Sequence, residues 1–248
     1  MKKPIIGITC PWSVETWGDS IEKGGYYYAG KAYAEAVHKY GGIPILIAPE
    51  YDERSLDSML DSILTFVNGV LFTGGGSVKR KSSEDLPTLR GQQPTRYDFE
   101  AALLKKAYEK EMPILGICRG FQMIIEVFGG KLSDEIIKNH RQNLPREEPW
   151  HEVIIKRDSK LYKLVGSDSW SVNSLHVQKA EKIPDGFIAS AKAKDGVIEC
   201  IEALNYPWLM GCQFHPEELS KKDEIAGNIF KLFIRQAESM VEKYSYIA

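Results

Sequence analysis

Apolar and polar positions fall into alternating blocks along the first half of this 248-residue chain. PIIGITC, residues 4–10, reads as a buried strand, and YYYAGKAYAEAVHKYGG, residues 26–42, as a helix closed by Gly41-Gly42. IPILIAP (43–49) is a second strand and DERSLDSMLDSILTF (52–66) a second amphipathic helix; GVLFTGGG (69–76) is a third strand running into glycines. A polar stretch from Ser77 to Pro94 reads as a loop. TRYDFEAALLKKAYEKE (95–111) follows as a helix, with Thr95 and Asp98 spaced as a capping box. PILGIC (113–118) is then a strand and RGFQMIIEVFGG (119–130) a helix. Strands alternating with helices of this length predict parallel βαβ units with helices on both faces of an α/β sheet.

The second half changes period. HEVIIKRD (151–158), SWSVNSLHVQ (169–178), FIASAKAKDGVIECIEAL (187–204) and PWLMGCQFH (207–215) are short, β-rich and punctuated by turns. Lys194-Asp195-Gly196 has the composition of a hairpin turn. These segments predict an antiparallel β addition to the α/β core, with at least one strand rejoining the main sheet. Residues 223–244 predict a last amphipathic helix, with Ile225, Ile229, Leu232 and Phe233 on one stripe. Without repeats or low-complexity segments, residues 1–248 read as one domain.

Composition narrows the picture. Hydrophobic content of 43% and charged content of 27% are those of an ordinary globular protein. A formal charge of −2 leaves no electrostatic footprint for nucleic acid or an anionic membrane. No apolar run approaches the roughly 18–20 residues of a membrane helix. Two lysines, a short apolar run and a proline open the chain without a signal-peptide cleavage site. Cys10, Cys118, Cys200 and Cys212 are scattered with no CxxC pair, which argues against a disulfide framework or a zinc site and makes a reducing cytoplasm the simplest compartment.

The candidate chemistry begins at Gly116-Ile117-Cys118-Arg119-Gly120, which has the form of a nucleophile elbow with cysteine in the nucleophile's place. At a sharp strand-to-helix turn the residues two positions away crowd against sheet and helix, so both must be small. The turn also sets the sulfur at a helix N-terminus, where free N–H groups favour a thiolate and can hold an oxyanion. Arg119 N–H is the first oxyanion candidate. A plain buried cysteine is the alternative. A nucleophilic cysteine needs a base, and five histidines are available: His38, His140, His151, His176 and His215. His215 ends an apolar run and is followed by Pro216 and Glu217, so Glu217 is placed to orient one ring nitrogen while the other faces the sulfur. The glycines after the third strand supply bare N–H groups at the sheet edge where α/β folds bind ligands, making Gly75 and Gly76 candidates for the second oxyanion donor. GxGxxG and Walker patterns are both missing there, so nucleotide binding is discounted.

In this order GITCP, GGIPILIAP, TGGGSV, GICRGFQ, NHRQ, VNSLHVQ, AKDGVIECIE and GCQFHPEE resemble the class I glutamine amidotransferase superfamily over nearly the whole chain. The closest resemblance is to its stand-alone γ-glutamyl hydrolase branch, peptidase C26, which includes γ-glutamyl-γ-aminobutyrate hydrolase. The resemblance implies a flavodoxin-like three-layer sandwich. It implies Cys118 as nucleophile, His215 as general base and acid, Glu217 as its orienting partner, and Gln122, Asn173, Ser174 and His176 as substrate-binding residues. The implied reaction cleaves a γ-glutamyl amide through a glutamyl thioester, with a small-molecule substrate and no metal or organic cofactor. Where the branch commonly carries Asp-Val-x-Pro after the glycines, this chain has Ser77-Val78-Lys79-Arg80, which bears on the choice of leaving amine. A glutaminase subunit feeding a separate synthetase, a noncatalytic binding protein and a general cysteine peptidase stay open, as does a homodimer.

Overall fold

A computed structural model describes residues 2–16, 23–75 and 88–245 of the chain. Its strands are β1 (Ile5–Thr9), β2 (Trp12–Thr16), β3 (Lys23–Tyr27), β4 (Ile43–Ile47), β5 (Gly69–Phe72), β6 (Ile114–Ile117), β7 (Lys131–Leu132), β8 (His151–Ile155), β9 (Ser169–Val172), β10 (Ala180–Lys182), β11 (Phe187–Ala193), β12 (Ile198–Ala203) and β13 (Leu209–Cys212). Its helices are α1 (Lys31–Lys39), α2 (Leu56–Phe66), α3 (Leu89–Gln92), α4 (Pro94–Glu109), α5 (Arg119–Val127), α6 (Lys160–Val165), α7 (Pro216–Leu219) and α8 (Glu224–Ser245). Nine strands form one sheet in the order β4-β1-β5-β6-β13-β12-β11-β8-β9. From β4 to β13 the neighbours run parallel; from β13 onward every pairing is antiparallel. The antiparallel strands are thus the second half of the same sheet, and β13 joins the halves as the strand that rejoins the parallel core.

Strand periodicity explains the layers. In β5, Leu71 faces one core with Ile6, Ile8, Leu115, Ile117 and Met210, against Val37 of α1 and Ile229 and Phe233 of α8. Its neighbours Val70 and Phe72 face the other core, with Leu60 and Leu64 of α2, Phe99 and Leu103 of α4, and Phe121 and Ile124 of α5. Alternate residues therefore feed opposite faces, and a strand buried on both reads as a continuous apolar run. Each such fully buried side chain contributes about 1.5–3 kcal/mol relative to exposure.

The structure revises three element boundaries. Tyr26 and Tyr27 are not helical: they pair with Ser13 and Trp12 in the β2–β3 hairpin, so α1 starts at Lys31. Its end is as expected. Gly41 takes φ +102°, and the Gly41 and Gly42 N–H groups donate to the His38 and Val37 carbonyls, closing the helix by a Schellman pattern. Helix α4 starts at Pro94, which needs no N–H partner there. Thr95 therefore lies inside the first turn rather than at the cap, and Asp98 instead binds Arg90 at 2.8 Å. The sequence between Ser77 and Pro94, expected to be loop, contains α3, capped by Thr88 accepting from Gly91 N–H.

Candidate active site

The parallel strands deliver their C-terminal ends to one edge of the sheet. At that edge β6 passes through Cys118 into α5. Cys118 has φ 52° and ψ −100°, a backbone state worth about 1–3 kcal/mol of strain for a non-glycine residue. Its N–H donates to the Cys212 carbonyl of β13 at 2.7 Å and its carbonyl accepts from Gln122 N–H at 3.1 Å. The flanking glycines permit the turn. A Cβ on Gly116 would lie 2.7 Å from the Gly120 backbone, and one on Gly120 would run into the Phe72 carbonyl of β5. The sulfur-bearing residue stays partly exposed, while Cys10, Cys200 and Cys212 are buried.

Strand β13 sets the partner. After it, His215 precedes α7, whose Pro216 occupies the first turn. Asn173, just past β9, holds the His215 backbone from both sides: it accepts His215 N–H at 2.8 Å and donates to its carbonyl at 3.1 Å. Nδ1 of His215 lies 2.6 Å from Glu217 Oε1, and the far side of the ring comes up beside Cys118, both lying within 3.2 Å of where a Gly74 Cβ would stand. Burial works against the charged imidazole. The Glu217 carboxylate and the Cys118 sulfur outweigh it and hold the His215 pKa well above the usual histidine range. Tyr33 of α1 closes the back of this group. Its hydroxyl accepts Gly74 N–H at 3.0 Å, and burial together with the neighbouring Glu217 and Cys118 raises its pKa. A side chain on Gly74 would meet the Tyr33 hydroxyl, His215 and Cys118 together, at 2.9, 3.1 and 3.2 Å. That close approach is what the glycine is for.

The backbone after β5 is clamped by Arg96. Its guanidinium donates to the carbonyls of Thr73 and Gly75 at 3.0 and 2.9 Å, with Gly74 at 3.4 Å. Because a trans peptide points C=O and N–H in opposite directions, turning the Gly74 carbonyl toward Arg96 turns Gly75 N–H away from it. Gly75 itself takes φ +83°. Arg96 also pairs with Glu100 at 2.8 Å, and Glu100 pairs with Arg119. All three side chains are almost fully buried. The Arg119 side chain is therefore an internal ion-pair partner; what it offers the site is its N–H at the first position of α5, which has no carbonyl of its own helix to bind. Gly76, the other oxyanion candidate, and Ser77 to Lys81 lie outside the described residues.

The four residues expected to bind substrate are placed differently. Asn173, Ser174 and His176 are buried and engaged within the protein. Asn173 Nδ2 serves His215 and the Arg146 carbonyl, Ser174 Oγ donates to the His140 carbonyl at 2.8 Å, and His176 Nδ1 binds the Gln178 carbonyl at 3.0 Å. Asn173 thereby holds the segment that precedes α7 and carries His215. Gln122, also buried, gives Nε2 to Gln213 Oε1 at 3.2 Å. His38 is exposed on α1. Sequence reasoning missed Tyr33, Arg96 and Glu100. Arg96 and Glu100 stand at i and i+4 on an amphipathic helix, a spacing that reads as a solvated ion pair.

Comparison with known proteins completes the description. The peptidase C26 family model matches residues 4–217. The γ-glutamyl-γ-aminobutyrate hydrolase PuuD of Escherichia coli K12 is 30% identical, the alignment covering 82% of this chain and 83% of that protein. Protein NtpR of Enterococcus hirae is 28% identical over 94% and 99% of the two chains. A glutamine amidotransferase structure from Thermotoga maritima superposes with a TM-score of 0.56 at 19% identity, covering 98% of this chain and all of that one, a likeness of fold.

Proposed function

The chain belongs to the peptidase C26 family, and from that premise we propose that it is a cysteine hydrolase of γ-glutamyl amides whose substrates are small γ-glutamyl amines of the γ-glutamyl-γ-aminobutyrate kind. One observation carries the reading: a cysteine held at φ 52° beside the His215 ring, the two meeting within 3.2 Å of the Gly74 Cβ position, with Nδ1 of that ring 2.6 Å from Glu217. Glu217 and Cys118 both favour the protonated imidazole, which suits His215 to the acid step. Sγ attacks the δ-carbonyl carbon of the γ-glutamyl group, and the oxyanion takes up the N–H groups of Arg119 and Gly75, each worth on the order of 3 kcal/mol. The C–N bond breaks as His215 gives its proton to the departing amine, leaving a glutamyl thioester. A water then loses a proton to His215, attacks the thioester carbon and releases glutamate with the thiolate restored.

The test is a panel of γ-glutamyl amides assayed for glutamate and amine release, with Cys118→Ala as control. Equal release of both products by the wild-type chain is expected, and no turnover by folded Cys118→Ala. Retained turnover in that variant overturns the assignment. Glutamine turnover that appears only with an added synthetase replaces it with an ammonia-delivering role.

A further inference from the structure

A second cluster of reactive side chains lies along the same sheet edge. Glu199, at the start of β12, is fully buried and sits across the ladder from the residues that follow β13, its carbonyl accepting Gln213 N–H at 2.8 Å. Three imidazoles from three other segments aim a ring nitrogen at one atom, Glu199 Oε1: His140 Nδ1 at 3.1 Å, His176 Nε2 at 3.3 Å and His151 Nε2 at 3.4 Å. The donor atoms of His140, His151 and Glu199 all lie within 4.8 Å of one another. The His140 ring is packed between the other two, with centroid separations of 4.8 Å to each.

The hydrogen-bond bookkeeping does not close on protein atoms. His176 Nδ1 faces the Gln178 carbonyl at 3.0 Å, which can only accept, so Nδ1 donates there and Nε2 is the nitrogen turned to Glu199. His140 Nε2 faces Asp195 Oδ2 at 2.9 Å, so that nitrogen donates there and Nδ1 is the one turned to Glu199. Glu199 Oε2 and His151 Nε2 are buried with no hydrogen-bond partner. Three ring nitrogens converging on one buried carboxylate oxygen form a pocket suited to a positive centre. The second contacts are those of metal-binding histidines, whose other ring nitrogen donates to a carboxylate or a backbone carbonyl. The spacing also fits. A tetrahedral ion bound at about 2.0–2.1 Å sets its ligand atoms about 3.3–3.4 Å apart, and the three imidazole nitrogens lie 3.1, 3.3 and 3.4 Å from Glu199 Oε1.

We propose that His140, His151, His176 and Glu199 form a binding site for a zinc-like divalent cation. It is distinct from the Cys118–His215–Glu217 group and does not depend on the function proposed for that group. Only His151 is appreciably open, with its side chain 18% exposed, so the ion enters past it and is closed in by four protein ligands, as in structural zinc sites. The ion ties β8, β12, the segment carrying His140 and the segment after β9. Asn173 lies three residues before His176 in that last segment and grips the His215 backbone, so the ion would stiffen the seat of His215 without touching it.

The experiment uses the full chain without an affinity tag, in a Cys118→Ala background so that the exposed thiol cannot compete. After stripping with a chelator, zinc is titrated against a chromophoric competitor and the loaded protein is examined by X-ray absorption. One zinc per chain is expected, in a nitrogen and oxygen shell containing imidazole and no sulfur, with the melting temperature raised by about 5 °C. His151→Ala, which removes the most exposed ligand and so spares the fold, weakens binding at least tenfold, and His140→Ala does so further. Zinc well below one equivalent, a sulfur-containing shell, or affinity unchanged in folded His151→Ala overturns the site.

Discussion

The placement of Cys118 and His215 at one edge of the sheet was legible because a strand-to-helix elbow and a turn histidine each leave a mark on their neighbours. Gly116 and Gly120 are the steric consequence of a nucleophile elbow, and Pro216-Glu217 places a carboxylate one short step from the ring. Tyr33 was not legible: nothing about a tyrosine in an amphipathic helix says that its hydroxyl will cap Gly74 N–H and abut Glu217. Nor did the sequence say that Asn173 would grip the His215 backbone from both sides. At this scale the electrostatics of His215 give a signed prediction. Glu217 raises the His215 pKa, and in the proposed reaction protonated His215 is the acid that releases the amine. The alkaline limb of kcat/KM therefore lies above the ordinary histidine range near 6.5, and Glu217→Gln moves it to lower pH while lowering kcat by about 10²–10⁴-fold. A pH–rate profile of both proteins on one γ-glutamyl amide checks this. An alkaline limb that stays in place in Glu217→Gln would remove the carboxylate from the mechanism.

At the scale of elements, the strand and helix periods predicted the βαβ core because each buried strand is bounded by glycine, proline or a polar turn. The β2–β3 hairpin escaped because Tyr26 and Tyr27 also fit a helical stripe, and only their pairing with Ser13 and Trp12 decides between the two. Function at this scale depends on how closely α5 lies on the sheet. Gly120 brings it against the Phe72 carbonyl of β5, where a Cβ has no room, and the backbone after that same strand carries Thr73 to Gly75. Gly120→Ala must therefore push α5 outward, moving Arg119 N–H away from Gly75. Overpacking of this kind costs about 1–3 kcal/mol. The kinetic loss should fall mainly on kcat, since the oxyanion donors act most strongly in the transition state. Urea unfolding and steady-state kinetics measure the two effects separately, and unchanged kcat in a folded Gly120→Ala protein would show that the α5–β5 contact does not set the site.

Across the whole molecule, one sheet serves two chemistries. Its parallel half brings Cys118 and the glycine backbone to one edge, and its antiparallel half brings Glu199 to the same edge roughly 10 Å away, two strand spacings over. The scattered histidines gave no metal signature in sequence because that signature is one of close spacing, and these ligands come from four segments. Long-range placement is equally what hid the Arg96–Glu100–Arg119 chain, which couples α4 to the backbone after β5 and to α5. That chain makes the stability of the whole molecule depend on pH in a definite sense. Burial pushes the Glu100 carboxyl up, but Arg96 and Arg119 beside it prevail and hold its pKa below the usual carboxylate value. A folded-state pKa below the unfolded one, near 4.3, means that the unfolded chain binds the proton more readily. Glu100 therefore stabilises the fold fully above the unfolded value and loses that contribution as pH falls through the folded one. Glu100→Gln leaves two buried guanidinium groups facing a neutral partner, which costs about 3–5 kcal/mol at neutral pH. Because the substituted side chain no longer titrates, the gap between variant and wild type should narrow as pH drops below about 4. Denaturant midpoints measured between pH 3 and 7 follow that gap. A constant difference across the range would mean that Glu100 acts through shape alone and that the two arginines are neutralised by something else.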